Sequence, residues 1–259
     1  VLSVGSIGCN LRCEFCQNCK ISQATLEEFP WATQYSPEQL VEMASNESNN
    51  IGLAFTYNEP TIFYEFLKET ACLAKVHNLQ NVAVSNGYIN REPLNELFPF
   101  LDAFNIDLKA FTDEFYTEIT GGSIEPVKRT LKSIKNEGKH LEITHLVIPQ
   151  LNDKENDFKN MVHWIANELG NDTVLHISRY FPAHLSRLPA TSVSTLDVFF
   201  NIACEVLDYV YLGNVRGNTE TYCRKCGNTV IRRNGYYTEV NGITESGQCI
   251  ECGEKIVIN

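Results

Sequence analysis

Short apolar runs alternate with amphipathic segments along the first two hundred or so residues, and this alternation most restricts the possible fold. The runs are apolar on both faces, which is typical of parallel strands covered by helices. Strand, helix, strand, helix in this order predicts a parallel α/β sheet, open or barrel-like. The seven strand candidates are residues 1–7, 51–57, 81–85, 103–108, 141–148, 174–180 and 209–212.

Several of the intervening segments have recognisable helix ends. The run 36–39 (SPEQ) supplies an N-cap serine, a proline at the first helical position and a capping-box glutamine. Two other apolar stripes with helical spacing stop at Gly138 and Gly170, and glycine is the usual residue just beyond a helix.

Ten cysteines are unusual for a chain of 259 residues. Eight of them form two tight groups, which are Cys9, Cys13, Cys16 and Cys19 near the start and Cys223, Cys226, Cys249 and Cys252 near the end. Pairs separated by two residues indicate metal binding in a reducing compartment rather than a disulfide scaffold. We expect the two remaining cysteines, Cys72 and Cys204, to be buried core thiols.

The first group contains the spacing C-x3-C-x2-C, formed by Cys9, Cys13 and Cys16 directly after the first strand candidate. Three thiolates can hold a four-iron cluster and leave its last iron without a protein ligand, so that another molecule can bind there. Loops after the carboxyl ends of parallel strands form the active face of such folds. The alternative is a zinc site in which Cys19 supplies the fourth thiolate.

Polar residues end four of the other strand candidates. They are Asn58, Glu59 and Pro60 after the second, Ser85 and Asn86 at the third, Asp107 and Lys109 at the fourth, and Arg179 at the sixth. Each has an ordinary explanation, such as a helix start, a turn or a structural ion pair. Together they predict a site for a zwitterionic, hydrogen-bonding ligand.

The cysteine loop, with Phe15 before its last cysteine, resembles the signature of the radical S-adenosylmethionine (radical SAM) superfamily. The run 8–18 (GCNLRCEFCQN) is similar to the pyruvate formate-lyase-activating-enzyme-like branch. Further runs resemble the AmmeMemoRadiSam-system radical SAM enzymes, namely 57–61 (YNEPT), 104–109 (FNIDLK), 148–153 (IPQLND), 176–182 (HISRYFP) and 211–215 (YLGNV).

This resemblance implies a partial (β/α)6-type parallel barrel in which Cys9, Cys13 and Cys16 hold a [4Fe-4S] cluster. It implies that S-adenosylmethionine (SAM) chelates the open iron and is reductively cleaved to a 5′-deoxyadenosyl radical, which abstracts hydrogen from a substrate. A low-potential electron donor, flavodoxin or ferredoxin, is implied as a partner.

The resemblance also assigns roles to the strand-end residues. Asn58, Glu59 and Pro60 occupy the motif that contacts the SAM amino group, and Lys109, beside Asp107, is suited to the SAM carboxylate. Ser85 and Asn86 match the segment that faces methionine or ribose. A contact with SAM or substrate is assigned to Arg179 or His184.

Two features depart from the family pattern. Cys19 stands where the family usually has tryptophan, and we expect it not to be a ligand. The family also tends to carry a cysteine-bearing segment before the cluster strand. This chain begins eight residues before Cys9, so we expect that segment to be absent or to belong to a part outside this sequence.

The pattern changes near residue 213, and we predict two domains, a radical SAM barrel over 1–216 and a ribbon over 217–259. Two C-x2-C-G knuckles, Cys223 to Cys226 and Cys249 to Cys252, are typical of a four-cysteine ribbon, which most often binds zinc. A rubredoxin-like iron or an auxiliary cluster is the alternative. Such a small tail needs a metal because it cannot bury a core alone.

Composition narrows the function classes. The net charge of −11, without clustered Lys and Arg, argues against nucleic-acid binding. No apolar stretch has transmembrane length, and we expect a soluble, cytoplasmic protein.

Three functions stay open from the sequence. The first is a radical SAM enzyme that acts on an unassigned substrate, with a protein substrate or system partner. The second is an activating enzyme for a glycyl-radical enzyme. The third is a non-catalytic iron–sulfur or zinc module.

Overall fold

Seven parallel strands form one sheet in the computed structural model, and they lie side by side in the order in which they occur in the chain. The structure describes residues 1–30, 32–215, 218–235 and 237–256. The strands are β1 (Leu2–Val4), β2 (Gly52–Phe55), β3 (Gln80–Ser85), β4 (Ala103–Asp107), β5 (His140–Val147), β6 (Val174–Arg179) and β7 (Val210–Gly213). Strands β1 and β7 stand at opposite ends of this order, so the sheet is not a closed barrel among the described residues. The predicted fold class and all seven strand candidates are confirmed.

Helices connect the strands. They are α1 (Cys19–Ser22), α2 (Pro37–Asn46), α3 (Tyr64–Val76), α4 (Arg91–Leu97), α5 (Asp113–Phe115), α6 (Ile124–Asn136), α7 (Glu155–Leu169) and α8 (Val193–Cys204). Short 3₁₀ turns span Leu26–Glu28 and Pro60–Phe63, and a π-helical turn spans Tyr116–Thr120. The predicted capping box forms, with Ser36 Oγ accepting from Gln39 N at 3.3 Å and Gln39 Oε1 accepting from Ser36 N at 2.8 Å.

Strand β5 shows how the two faces of the sheet differ. Its residues alternate between buried and half-buried positions from His140 to Val147. Leu141 and Ile143 point to the hydrophobic core shared with the helices. Glu142 and Thr144 therefore lie on the other face of the sheet, which we call the inner face.

The tail forms a second, three-stranded antiparallel sheet from β8 (Asn218–Tyr222), β9 (Thr229–Asn234) and β10 (Tyr237–Glu239). Val174 at the start of β6 and Tyr209 just before β7 share a hydrophobic cluster with Val230, Ile231 and Ile256 of the tail. The tail thus packs against the amino ends of the last two strands. The predicted boundary between 216 and 217 falls on residues outside the described ones, as does the end of the β-like run 255–258.

One expectation from the sequence was wrong. Cys72 on α3 and Cys204 on α8 are both exposed, because each lies on the solvent side of its helix while Ala71 and Ala203 beside them are buried. Among the described residues, no helix combines the length and the apolar character needed to cross a membrane.

His145 is the buried polar exception on the core face of β5, with 2% of its surface exposed. Its ring lies 5.6 Å from that of Phe158, and Nδ1 lies 2.8 Å from the carbonyl oxygen of Leu108. Since a carbonyl only accepts, Nδ1 carries the proton. Burial lowers the pKa of His145 to about 4, although the hydrogen bond to Leu108 acts against this shift.

We predict that this imidazole makes the fold sensitive to mild acid. The unfolded histidine takes up a proton below a pH of about 6.5, whereas the folded one does so only near 4. Its contribution to the free energy of unfolding is therefore complete above about pH 6.5 and is lost as the pH falls towards 4. Urea unfolding at several pH values should show a flatter dependence for His145→Gln than for the parent. His163→Gln, at an exposed position of α7, should keep the parental slope, and equal slopes for the parent and His145→Gln would contradict the prediction.

Candidate functional site

A cavity of about 250 Å³ lies where the strands of the large sheet end, beside the first cysteine loop. The structure brings together many of the site residues predicted from the sequence in its lining, namely Cys9, Cys13, Phe15, Cys16, Asn58, Asn86, Asp107 and Lys109. Four predicted residues stand outside the described lining, namely Glu59, Pro60, Ser85 and Arg179.

The amide of Asn58 ties the cysteine loop to the end of β2. Its Nδ2 donates to the carbonyl oxygen of Gly8 at 2.6 Å, and its Oδ1 accepts from Ser6 N at 3.2 Å. Gly8 N in turn donates to Ile21 O at 2.8 Å, which closes the loop onto α1. The side chain of Asn58 therefore bonds to the backbone on both sides of Ile7 and fixes the start of the cysteine loop.

The carboxylate of Glu59 lies completely buried behind the cavity wall. It accepts from Ser85 Oγ and Asn86 N, both at 2.8 Å, and from Thr61 N at 3.0 Å. Burial raises the pKa of Glu59, and these donors act against the shift. Glu59 thus joins the ends of β2 and β3, and Ser85 is bound in this contact.

Asn86 connects that buried carboxylate to the cysteines. Its Nδ2 donates to Asn10 Oδ1 at 2.7 Å and to Cys9 Sγ at 3.7 Å. Leu11 N also donates to Cys9 Sγ, at 3.4 Å. Burial raises the pKa of Cys9, and the N–H of Leu11 acts against this shift by stabilising the thiolate, which is the form that binds metal.

Cys16 has a hydroxyl partner. Its Sγ lies 3.1 Å from Ser22 Oγ, and Ser22 is only 4% exposed. When Cys16 is a thiolate it can only accept, so that the Ser22 hydroxyl becomes the donor.

A half-buried ion pair forms the charged part of the cavity lining. Lys109 Nζ lies 2.9 Å from Asp107 Oδ2, and only 15% of the lysine side chain is exposed. The ammonium also lies 5.9 Å from the centre of the Phe15 ring. Burial alone would lower the pKa of Lys109, but Asp107 and the nearby Cys13 raise it above its ordinary value. Lys109 and Asp107 are the charged side chains of the described lining, one of each sign.

The spacing of the loop cysteines does not match the zinc alternative. With Zn–S bonds of about 2.3 Å, the sulfurs of a tetrahedral zinc site lie about 3.8 Å apart. Among the described residues, one group of three or more Cys, His, Asp or Glu has all its ligand atoms within 4.8 Å, and that group is in the tail. Cys19 opens α1 and is not part of the described cavity lining.

Strands β5 to β7 add residues to the cavity lining to which the sequence assigned no role. Thr144 on β5, Ser178 on β6 and Asn214 after β7 all line the cavity. Thr144 and Ser178 lie inside largely apolar strands. The alternation of polar residues onto one face of each strand was the only, weak, sequence feature that could have indicated them. Only the register of neighbouring strands shows that this face meets the cysteine loop.

Arg179 is not part of the described lining. Its Nε donates to the carbonyl oxygen of Thr191 at 2.7 Å, and its guanidinium lies 4.9 Å from the centre of the Phe181 ring. Its backbone oxygen accepts from Asn214 Nδ2 at 3.1 Å. In this structure Arg179 therefore supports the loop around the cavity.

The family model of the radical SAM superfamily matches residues 4–165, which is more than half of the chain. The chain belongs to the radical SAM superfamily. Membership implies a [4Fe-4S] cluster and SAM as cofactors, and the molecule is therefore an enzyme of this superfamily.

Two relatives and one solved structure illustrate the similarity. An uncharacterized protein of Methanocaldococcus jannaschii is 41% identical over 263 residues, covering 100% of this chain and 78% of that protein. The pyruvate formate-lyase-activating enzyme of Clostridium pasteurianum is 25% identical over 162 residues, covering 62% of this chain and 67% of that enzyme. Streptococcus suis SuiB, in a crystal structure with S-adenosylmethionine, superposes with a TM-score of 0.63 at 11% identity, over 82% of this chain and 50% of SuiB.

The four tail cysteines form a second site that can bind a metal ion. Cys223 Sγ and Cys252 Sγ lie 3.5 Å apart, and Cys226 Sγ and Cys249 Sγ lie 3.7 Å apart. These separations match a tetrahedral thiolate site of the kind that zinc prefers.

The two knuckles have the same backbone. Gly227 N donates to Cys223 O at 2.8 Å and Gly253 N donates to Cys249 O at 2.9 Å. Both glycines have φ of +72°, a left-handed conformation that glycine adopts without strain. Although burial acts to raise it, backbone N–H groups and the neighbouring thiols lower the pKa of Cys249 to about 6.

A chain of contacts leads from the tail to the inner face of the sheet. Tyr211 Oη lies 2.8 Å from Thr221 Oγ1, and the ring of Tyr211 stacks on His176 with centroids 5.5 Å apart. His176 Nε2 lies 2.7 Å from Glu142 Oε2. Burial acts to raise the pKa of Glu142, but the hydrogen bonds from His140 and His176 hold it below its ordinary value.

We predict that the tail metal and the loop iron are independent. The double variant Cys223→Ala/Cys226→Ala should lose its zinc, because two of four thiolates remain, while the iron and sulfide of the reconstituted loop cluster stay at the parental level. Elemental analysis measures both. A parallel loss of thermal stability is expected because the tail sheet lacks a sufficient core of its own. Iron in place of zinc in the parent, lost in this variant, would identify the rubredoxin-like alternative.

Proposed function

We propose that this chain binds SAM beside a [4Fe-4S] cluster held by Cys9, Cys13 and Cys16, and that it uses them to remove a hydrogen atom from a substrate. The observation that carries the proposal is one cavity with three cysteines on one wall and the Asp107–Lys109 pair on another. Family membership supports both cofactors.

The residues at the site fit both cofactors. The loop offers three sulfurs to the cavity, and Cys19, the fourth cysteine of the loop region, is not part of the described lining. A cluster held there keeps one iron open to a ligand. Hydrogen bonds to Cys9 and Cys16 are of the kind that sets cluster potentials.

The charged pair suits the amino-acid end of SAM. The Lys109 ammonium offers donors to a carboxylate, and the Asp107 carboxylate accepts from an ammonium group. The buried side chains of Phe15 and Leu11 give the same cavity an apolar lining, and a lower local dielectric strengthens both contacts. When bound, the cluster and SAM together supply one-electron, hydrogen-abstracting chemistry.

We predict that activity follows the three loop ligands and not the other cysteines. After anaerobic reconstitution, with dithionite and SAM, the parent should produce 5′-deoxyadenosine. Cys16→Ala should lower that yield at least a hundredfold because the cluster loses a ligand. Cys19→Ala and Cys72→Ala, the second at an exposed helix position, should stay within about twofold of the parent.

Either of two results would contradict the proposed SAM cleavage at the loop cysteines. One is a parent that forms no 5′-deoxyadenosine despite a full complement of iron. The other is a Cys16→Ala variant that turns over at the parental rate. Loss of activity in Cys19→Ala would instead assign that thiol to the cluster.

Within the superfamily, we propose the AmmeMemoRadiSam-type branch, with an unassigned substrate and system partners. The runs 148–153 and 211–215 support this proposal because they resemble that branch. They also contribute to the site, since Asn214 lines the cavity and Asn152 Nδ2 donates to Lys109 O at 2.7 Å.

The second candidate is an activating enzyme that takes hydrogen from a glycine of a partner protein. Its support is the similarity to the Clostridium pasteurianum activating enzyme. In either case the reaction needs an electron from outside the chain, and we propose a flavodoxin or ferredoxin as the donor.

We predict that a radical measurement on a partner protein distinguishes the activating enzyme from the first candidate. If the chain is an activating enzyme, incubation with SAM, reductant and a glycyl-radical enzyme from the same organism should give a glycine-centred electron paramagnetic resonance signal. Replacement of the target glycine by alanine should remove that signal and leave SAM cleavage intact. Production of 5′-deoxyadenosine with no protein-centred radical in any such partner would exclude the activating role.

A further inference from the structure

Three buried side chains hold the backbone at Lys109. Lys109 N donates to the hydroxyl oxygen of Tyr116 at 3.1 Å, and Lys109 O accepts from Asn152 Nδ2 at 2.7 Å. The carbonyl just before it, that of Leu108, accepts from His145 Nδ1 at 2.8 Å. The peptide groups on both sides of Lys109 are thus bonded to side chains from other segments.

These side chains bond to the backbone and do not line the cavity. Tyr116, His145 and Asn152 are 0%, 2% and 7% exposed, and none of them belongs to the described lining of the cavity. A buried N–H or C=O group that loses its partner is costly to the folded state. The three contacts therefore restrict the backbone to one conformation at this point.

Asn152 extends the restraint to the next strand. Its Nδ2 donates also to Leu146 O at 2.8 Å, and its Oδ1 accepts from Ile148 N at 2.6 Å. Leu146 lines the cavity. One amide thus joins the ends of β4 and β5, and with them two adjacent parts of the cavity wall.

We propose that Tyr116, His145 and Asn152 are positioning residues that fix the Lys109 ammonium where it meets the carboxylate of SAM. This role rests on the proposed function, in which Lys109 binds SAM. A lysine is a point charge on a flexible stem, so the position of its backbone and its contact with Asp107 decide where the charge lies. A displacement of about 1 Å at such a site weakens binding strongly.

Asn81 offers a matched control for Asn152. It is completely buried, and its Nδ2 bridges two carbonyl oxygens, those of Ala71 and Phe100, both at 2.9 Å. It lies near the start of β3, away from the cysteine end of the sheet. Replacing either asparagine by alanine removes the same kind of bridge.

The test measures the dissociation constant for SAM by anaerobic calorimetry on the reconstituted protein, without reductant. We expect Asn152→Ala to bind SAM about tenfold more weakly, from the loss of a buried hydrogen bond. Tyr116→Phe, which removes one oxygen atom, should weaken binding about threefold or more. Asn81→Ala should bind SAM as the parent does, and all variants should carry the parental amount of iron.

A double-mutant cycle separates positioning from general damage. Lys109→Met should weaken SAM binding, and adding Tyr116→Phe to it should have little further effect, because the group being positioned is gone. The full Tyr116→Phe effect on the Lys109→Met background would overturn the proposal, as would equal affinities for Asn152→Ala, Tyr116→Phe and Asn81→Ala. A parent that binds no SAM would instead contradict the proposed function. If Asn152→Ala does not fold, the Tyr116→Phe variant and the double-mutant cycle still test the proposal.

Discussion

Parallel pairing from β1 to β7 brings the carboxyl ends of all seven strands to one edge of the sheet, and the cavity at that edge depends on this constraint. The loop after β1 contributes the three cysteines, and each of the strands from β3 to β7 contributes only one or two polar residues to the cavity lining. The sequential order of the strands brings the cysteine loop to the same cavity as Thr144, Ser178 and Asn214. The cavity is the space between them.

At this edge, the buried carboxylate of Glu59 joins the ends of β2 and β3 through hydrogen bonds. A carboxylate without exposure is tolerated only when hydrogen bonds replace its water, and Ser85, Asn86 and Thr61 supply them. Glu59 thus lies behind the cavity wall and is not part of the described lining. It sets the turn that carries Asn86, whose amide then reaches Asn10 and Cys9.

The sequence was informative where the deciding forces are local. The double-faced apolar runs, the capping box at Ser36 and the knuckle glycines depend on neighbours a few residues away, and the structure has them as predicted. It was less informative for Cys72 and Cys204, because a small thiol near the border of an apolar stripe can face either side of that border. Arg179 lies at a predicted strand end, yet its contact with Thr191 depends on the path of a loop.

The largest gap concerns residues whose role comes from pairing distant segments. Tyr116, His145 and Asn152 meet around Lys109 through the register of β4 with β5 and through a π-helical turn. No spacing along the chain specifies this meeting. The run 148–153 was conspicuous as a family motif, but only the fold shows that its asparagine bonds to the lysine segment.

The position of the tail has a consequence for how the enzyme responds to oxidants. Cys223 and Cys249 belong to the same hydrophobic cluster as Val174 and Tyr209, and Cys252 packs against it. Three of the four thiols therefore form part of the packing at the amino ends of β6 and β7. Oxidation of these thiols to disulfides would expel a bound metal. Damage to the tail would then uncover the apolar side chains of Val174 and Tyr209, far from the cavity at the carboxyl ends of the strands.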